Sequence, residues 1–221
     1  YILVILLFYI GVLTAQTKGS GKYTVNTIDL NTKNSDFGTA FYGENKLVFA
    51  TPKKSITLVN DVWEENGQRF LDLYVADIVS NGQIANPELL KGDVNTRYHE
   101  GTVSFSPDGN TMYFSRESYY DNVFETDSLT QYKISVLNLY KSVNQEGQWS
   151  EAEPLSLNGD SYSVKNPSVS ADGSTLYFAS DKTGGYGQFD IYSAPIDENG
   201  SVGTATNMGQ KLNTKGKICT K

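Results

Sequence analysis

Downstream of an apolar N-terminal run, polar and apolar positions alternate with a period of two in short stretches. Thr111, Tyr113 and Ser115 interleave with Met112, Phe114 and Arg116, and Leu71, Leu73 and Val75 share one face of another stretch. That period places successive side chains on opposite faces of an extended chain, so the pattern predicts β-strands. From residue 16 onward no stretch carries a helical stripe.

The predicted strands recur in a fixed order. Apolar triplets Leu47-Val48-Phe49, Met112-Tyr113-Phe114 and Leu176-Tyr177-Phe178 follow polar turns, their Phe residues 65 and 64 positions apart. Each triplet precedes a second apolar strand, Leu71-Asp72-Leu73-Tyr74, Leu137-Asn138-Leu139-Tyr140 or Phe189-Asp190-Ile191-Tyr192. Glycine turns follow at Asn81-Gly82, Glu146-Gly147 and Asn199-Gly200. A last landmark appears at Leu30-Asn31-Thr32, Val94-Asn95-Thr96, Leu157-Asn158-Gly159 and Leu212-Asn213-Thr214, with starts 64, 63 and 55 apart. Asp108-Gly109 and Asp172-Gly173 supply tight hairpins between the first two strands of their units. From the triplet Phe to the next strand's Tyr the counts are 25, 26 and 14, so the third unit has lost one loop and kept its strands.

A four-stranded antiparallel meander repeated in register predicts the blade of a β-propeller. The expected fold is therefore all-β, a partial β-propeller of about three four-stranded antiparallel blades within residues 23–221, the blades at roughly 35–90, 98–156 and 162–209. Tyr23 to Leu30 reads as a lone fourth strand, an offset start of the kind that closes a ring. Closure takes ~4–8 blades. A fourth unit should begin near Ile218-Cys219-Thr220-Lys221, so the chain is expected to be a fragment.

Residues 1–15, YILVILLFYIGVLTA, are uncharged and almost wholly apolar. The run is shorter than the ~20 residues of a membrane-spanning helix and suits the apolar core of a signal peptide, lacking its Met and basic start. Leu13-Thr14-Ala15 is the expected cleavage site, 16–22 a linker, and the mature chain is expected to hold no membrane span. No Cys follows the run directly, which speaks against lipid attachment.

Composition narrows the chemistry. The net charge of −7 offers no concentrated positive field for nucleic acid. One Cys and one His leave no internal disulfide and no Cys/His zinc site. The 15 Tyr, 10 Phe and 20 Gly suit strands and turns.

Phe105-Ser106-Pro107-Asp108-Gly109-Asn110-Thr111-Met112-Tyr113-Phe114-Ser115 resembles the TolB-type propeller repeat, as does Val169 to Ser180, where Ala171 stands in place of the Pro. Asp181-Lys182-Thr183-Gly184-Gly185-Tyr186-Gly187 with Phe189-Asp190-Ile191-Tyr192 is similar to the same region in envelope proteins that carry this WD-repeat-like propeller ahead of an OmpA-type domain. The resemblance covers about 31–214 and is weakest in the first unit, where Tyr42-Gly43-Glu44-Asn45 replaces the Pro-Asp-Gly turn. It implies an exported protein of the periplasm or outer membrane, with envelope proteins as partners and peptidoglycan reached through a domain outside this sequence. It is specific for fold and poor for function.

Candidate residues are few. His99 is the sole imidazole and suits a hydrogen bond at the start of a blade better than metal ligation. Asp72 and Asp190 recur at one blade position, with Asn138 between them; a carboxylate ring could bind calcium, while a strand-edge Asp capping its own turn is the plainer expectation. A glycosidase pair of acids is open in principle, but no motif selects one. Gly184-Gly185-Tyr186-Gly187 lacks the Lys and helix of a phosphate loop and reads as a hairpin loop. Trp63, Trp149, Tyr119, Tyr120 and Tyr186 fall in loops or near strand ends, where aromatics can grip sugars or proteins. The expectation is a non-enzymatic interaction or scaffold module, with no catalytic, metal or cofactor residue assigned. The alternatives are a soluble periplasmic protein of the TolB kind or a carboxylate-dependent propeller hydrolase or lyase.

Overall fold

The structure, a computed structural model, describes residues 25, 27–28, 30–52, 62, 67–126, 128–129 and 133–216. Strands β1 (Phe37–Tyr42), β2 (Lys46–Thr51), β3 (Asp72–Ile78) and β4 (Ile84–Leu89) form the first antiparallel meander. The second is β5 (Glu100–Phe105), β6 (Thr111–Glu117) and, after a small β7 (Glu125–Thr126) and β8 (Lys133–Ile134) hairpin, β9 (Leu137–Gln145). Its fourth position is split into β10 (Gln148–Trp149) and β11 (Glu153–Pro154), both paired with β9. The third comprises β12 (Val164–Val169), β13 (Thr175–Ser180), β14 (Asp190–Pro195) and β15 (Thr206–Asn207). These are three propeller blades, all-β as the alternation predicts. The only helical pieces among the described residues are short 3-10 turns at Ser80–Gly82 and Ser118–Asp121.

Turn chemistry sets the register. Gly109 and Gly173 adopt φ of +72° and +77°, which an L side chain avoids, and let β5–β6 and β12–β13 reverse tightly. Asp108 and Asp172 pin those turns by accepting from the Asn110 and Ser174 backbone N–H groups, each at 3.1 Å.

The first strand of each blade lies against the first strand of the next. Each carries an irregularity at the same place: the register shifts between Phe37 and Ala40, between Glu100 and Val103, and between Lys165 and Ser168. Such bulges twist a strand and re-aim a side chain. Here they meet across blades, Thr102 Oγ1 donating to Asn166 Oδ1 at 3.0 Å.

Apolar burial follows the alternation. Val48, Ala50 and Leu73 of the first blade pack with Met112, Phe114 and Tyr140 of the second. Tyr113 and Leu139, on the second blade's other face, pack with Leu176, Phe178 and Tyr192 of the third. Phe49, Phe114 and Phe178, the triplet landmarks, are all buried.

The Asn landmarks have a structural task. Strand four of each blade stops short of the top of strand three, and an Asn side chain completes the pairing. Asn95 Oδ1 accepts from Leu73 N–H at 2.7 Å and its Nδ2 donates to Leu73 C=O at 3.1 Å. Asn158 treats Leu139 likewise at 2.8 and 2.8 Å, and Asn213 treats Ile191 at 2.8 and 3.0 Å. An amide presents one donor and one acceptor side by side, as a neighbouring strand would.

Of the expected lone strand at 23–30, the described residues Val25, Thr27, Ile28 and Leu30 join no ladder. The apolar run at 1–15 and the linker at 16–22 lie outside the described residues, as do 217–221. Among the described residues no helix is long and apolar enough to cross a membrane.

Candidate functional site

An antiparallel meander brings the links between strands two and three, and those from strand four to the next blade, to one end of the molecule. At that end the first and second blades gather Asp72, His99, Glu100, Arg116 and Glu117 with the aromatics Phe70, Tyr98, Tyr119, Tyr120 and Phe124. His99 and Glu100 stand where β5 begins, Arg116 and Glu117 where β6 ends.

Buried Glu100 and Arg116 are its centre. Arg116 Nε donates to Glu100 Oε1 at 3.1 Å and its terminal NH2 to Val94 C=O at 2.8 Å. The guanidinium lies over the rings of Tyr120, Tyr140 and Phe114, 4.6, 4.8 and 5.1 Å from their centroids. Glu100 also accepts from the Thr96 hydroxyl at 2.6 Å and backbone N–H at 3.2 Å. Burial pushes its carboxyl up, while Thr96 and the Arg116 guanidinium pull it back. The first blade repeats the device with Thr51 in the arginine's place: Asp36 accepts from Thr32 Oγ1 at 2.8 Å and from Thr51 Oγ1 at 2.6 Å. Sequence reasoning missed Glu100 and Arg116. The shared spacing of Thr32 to Asp36 and Thr96 to Glu100 was the available signal.

His99 makes a hydrogen bond at the start of its blade: Nδ1 accepts from Leu71 N–H at 3.1 Å, with Phe70 against its ring at 4.8 Å. Burial lowers its pKa to about 4, so the imidazole is neutral at pH 7. Burial raises Asp72 to about 6, against the opposing charge of Arg69, and raises Glu117 to about 7.

The recurring Asp position performs unlike tasks. Asp190, buried, caps the Gly184–Gly187 loop, accepting from Tyr186 N–H at 2.5 Å and Gly187 N–H at 3.1 Å, and takes Asn207 Nδ2 at 2.9 Å. Asn138 is buried and Asp72 half-buried. Among the described residues no group of three His, Cys, Asp or Glu side chains is placed to hold a metal ion.

The aromatics divide. Tyr98, Tyr119 and Phe124 form a continuous stack, with centroids 5.6 and 5.0 Å apart and interplanar angles of 22° and 20°, and all three are half-buried. Tyr186 is exposed. Trp149 is a correction: only 2% exposed, it belongs to the core between the first two blades, against Phe105 and Tyr42 at 5.7 and 5.8 Å. Its backbone holds the Lys91–Asp93 link, so being near a strand end brings it inward. Trp63 lies outside the described residues.

No family model matches the chain, and no curated protein matches it. Among solved structures it is similar to TolB from Acinetobacter baumannii, with 15% identity, 77% of this chain and 31% of that one covered, and a TM-score of 0.44. A puromycin-hydrolyzing peptidase of Mycobacterium tuberculosis matches at 12% identity, covering 80% of this chain and 24% of that one, with a TM-score of 0.44. The periplasmic gluconolactonase PpgL of Pseudomonas aeruginosa matches at 15% identity, with 67% and 37% covered and a TM-score of 0.40. The chain thus spans between 24% and 37% of the length of these structures.

Proposed function

We propose that the chain is a non-enzymatic β-propeller module of an exported bacterial envelope protein, binding other envelope components at the loop-bearing end of its blades. The observation that carries this reading is the half-buried Tyr98–Tyr119–Phe124 stack, set among links of unequal length. Stiff strands carrying variable loops are where recognition concentrates, and ordered aromatics give contact area at little entropic cost. Beside the stack, two of the groups that could do acid–base work are engaged elsewhere: Glu100 by Thr96 and Arg116, His99 Nδ1 by Leu71.

The apolar run at 1–15 and the resemblance of Asp181–Tyr192 to propellers preceding OmpA-type domains favour a periplasmic, outer-membrane-associated setting. The test is a pull-down from envelope extracts with the complete protein and its Tyr119→Ala and Tyr186→Ala variants. Partner recovery should fall severalfold while the far-UV spectrum stays unchanged; equal recovery removes these loops from the reading. A carboxylate hydrolase is the second reading, favoured by the raised Asp72 and Glu117. Turnover of a glycan or peptide that disappears in Asp72→Asn or Glu117→Gln would replace the first reading with it.

A further inference from the structure

Strand register makes the second and third blades comparable residue by residue. Glu100 stands opposite Arg116, and Val164 opposite Ser180. In the second blade the Arg116 guanidinium covers Phe114 and Tyr140 and donates to Val94 C=O. In the third blade the aromatic pair is kept as Phe178 and Tyr192, stacked at 5.8 Å and 12°, and Leu157 takes the place of Val94. The arginine has become Ser180 and its glutamate Val164.

Tyr162 refills only part of the space. A cavity of about 580 Å³ opens there, lined by Leu157, Val164, Ser180 and the Phe178–Tyr192 pair. Tyr162 forms a further wall, its hydroxyl donating to Leu157 C=O at 3.2 Å, the counterpart of the carbonyl that Arg116 takes in the second blade. Lys182 stands at the mouth, its Nζ 5.4 Å from the Tyr162 ring centroid. Among the described residues no carboxylate lines the cavity.

We propose that this cavity of the third blade binds a small six-membered ring bearing a carboxylate, the ring against Tyr162, Phe178 and Tyr192 and the carboxylate at Lys182. The volume lies within the ~300–1,000 Å³ of small-molecule sites, and apolar walls with a few convergent polar groups are their usual make-up. Aromatic faces accept the C–H face of a sugar or another aromatic ring. Lys182 is the one charged group of the lining among the described residues. The neighbouring Asp181 carboxylate is taken up by Ser163 N–H at 2.7 Å, so Lys182 is the group that offers an anion a partner at the mouth. Ser180 Oγ, accepting from Lys182 N–H at 3.2 Å, keeps its own proton to donate inward. An acidic sugar and an aromatic acid share this chemistry.

Calorimetric titration of the complete protein with glucuronate and with benzoate tests the proposal. Saturable binding of glucuronate alone identifies an acidic sugar, of benzoate alone an aromatic acid, and of both the shared chemistry. The double variant Val164→Glu/Ser180→Arg rebuilds the second blade's pair in the third and should abolish that binding. Lys182→Ala, on an exposed loop, keeps the test decisive should the double variant not fold. It should weaken either probe by up to about fivefold, the scale of a rim charge. Absence of binding by both probes overturns the proposal, as does binding unchanged in a folded double variant or in Lys182→Ala.

Discussion

Asn158 carries a burden that its identity alone does not announce. Its side chain serves the N–H and C=O of Leu139, so Asn158→Ala leaves the N–H unmatched while the C=O keeps Leu155 N–H at 3.0 Å. Leaving a buried polar group unmatched costs about 1–3 kcal/mol. Asn31, at the same place in its own landmark, is exposed, and Asn31→Ala should stay within about 0.5 kcal/mol of the parent. Urea denaturation of the two variants checks the contrast, and equal costs would mean the clamp adds nothing. The Glu100–Arg116 pair should behave more severely: Arg116→Met strands a buried carboxylate and should cost about 3–5 kcal/mol. The double change Glu100→Val/Arg116→Ser, which copies the third blade, should cost less than the two single changes together when measured the same way. The Asn residues were visible as a repeat because every blade needs them. Glu100 and Arg116 were not, because the other blades meet the same demand with Asp36 and Thr51 or with Val164 and Ser180.

Strands and turns were legible because their causes are local. Alternation marked β6 and β3, and Asp-Gly marked the turns after β5 and β12. The split of the second blade's fourth strand into β10 and β11 was hidden, since it depends on Trp149 turning into the space between blades. The bulges at Gly38, Thr102 and Asn166 were hidden likewise, because they answer to neighbouring first strands. One consequence at this scale concerns the end of β6. Burial raises Glu117 from 4.5 to about 7, so between those values the folded chain holds a proton that the unfolded chain has released. Its contribution is whole below about 4.5 and is lost as pH rises through 7. Asp72 acts in the same direction, between 3.8 and about 6. His99, lowered from 6.5 to about 4, opposes them, because there the unfolded chain takes the proton and stability grows as pH rises to 6.5. Buried Glu100, raised from 4.5 to about 8, acts the same way as Glu117. Glu117→Gln should therefore reduce but not remove the fall in melting temperature between pH 6.5 and 8, an effect tempered by the partial exposure of Glu117. Thermal melts across that range decide it, and an unchanged slope removes Glu117 from the account.

At the scale of the molecule, three blades have two outer faces. On the first blade the side away from the second bears Phe49, Tyr74 and Ala76, all buried, with Leu30 and Ile84 among the described residues packed against them. On the third, Tyr177 points away from the face that Leu176 and Phe178 bury and is 37% exposed. In the two junctions that exist, the corresponding faces are covered by a neighbouring blade, with Tyr113 at the position of Tyr177 only 1% exposed. Tyr113 reaches its packed state against a neighbouring blade and Tyr177 does not, and repeat units generally depend on such neighbours. An uncovered face such as that of Tyr177, beside an open strand edge, invites pairing between chains. Residues 16–221 expressed alone should therefore self-associate, eluting from size exclusion as oligomers or aggregate at micromolar concentration. Tyr177→Lys, which places a charge on one outer face without touching either inter-blade core, should shift the population toward monomer. A sharp, cooperative melt and a monomeric elution volume for the parent chain would show that three blades suffice by themselves, and the requirement for blade-on-blade cover would fall with it.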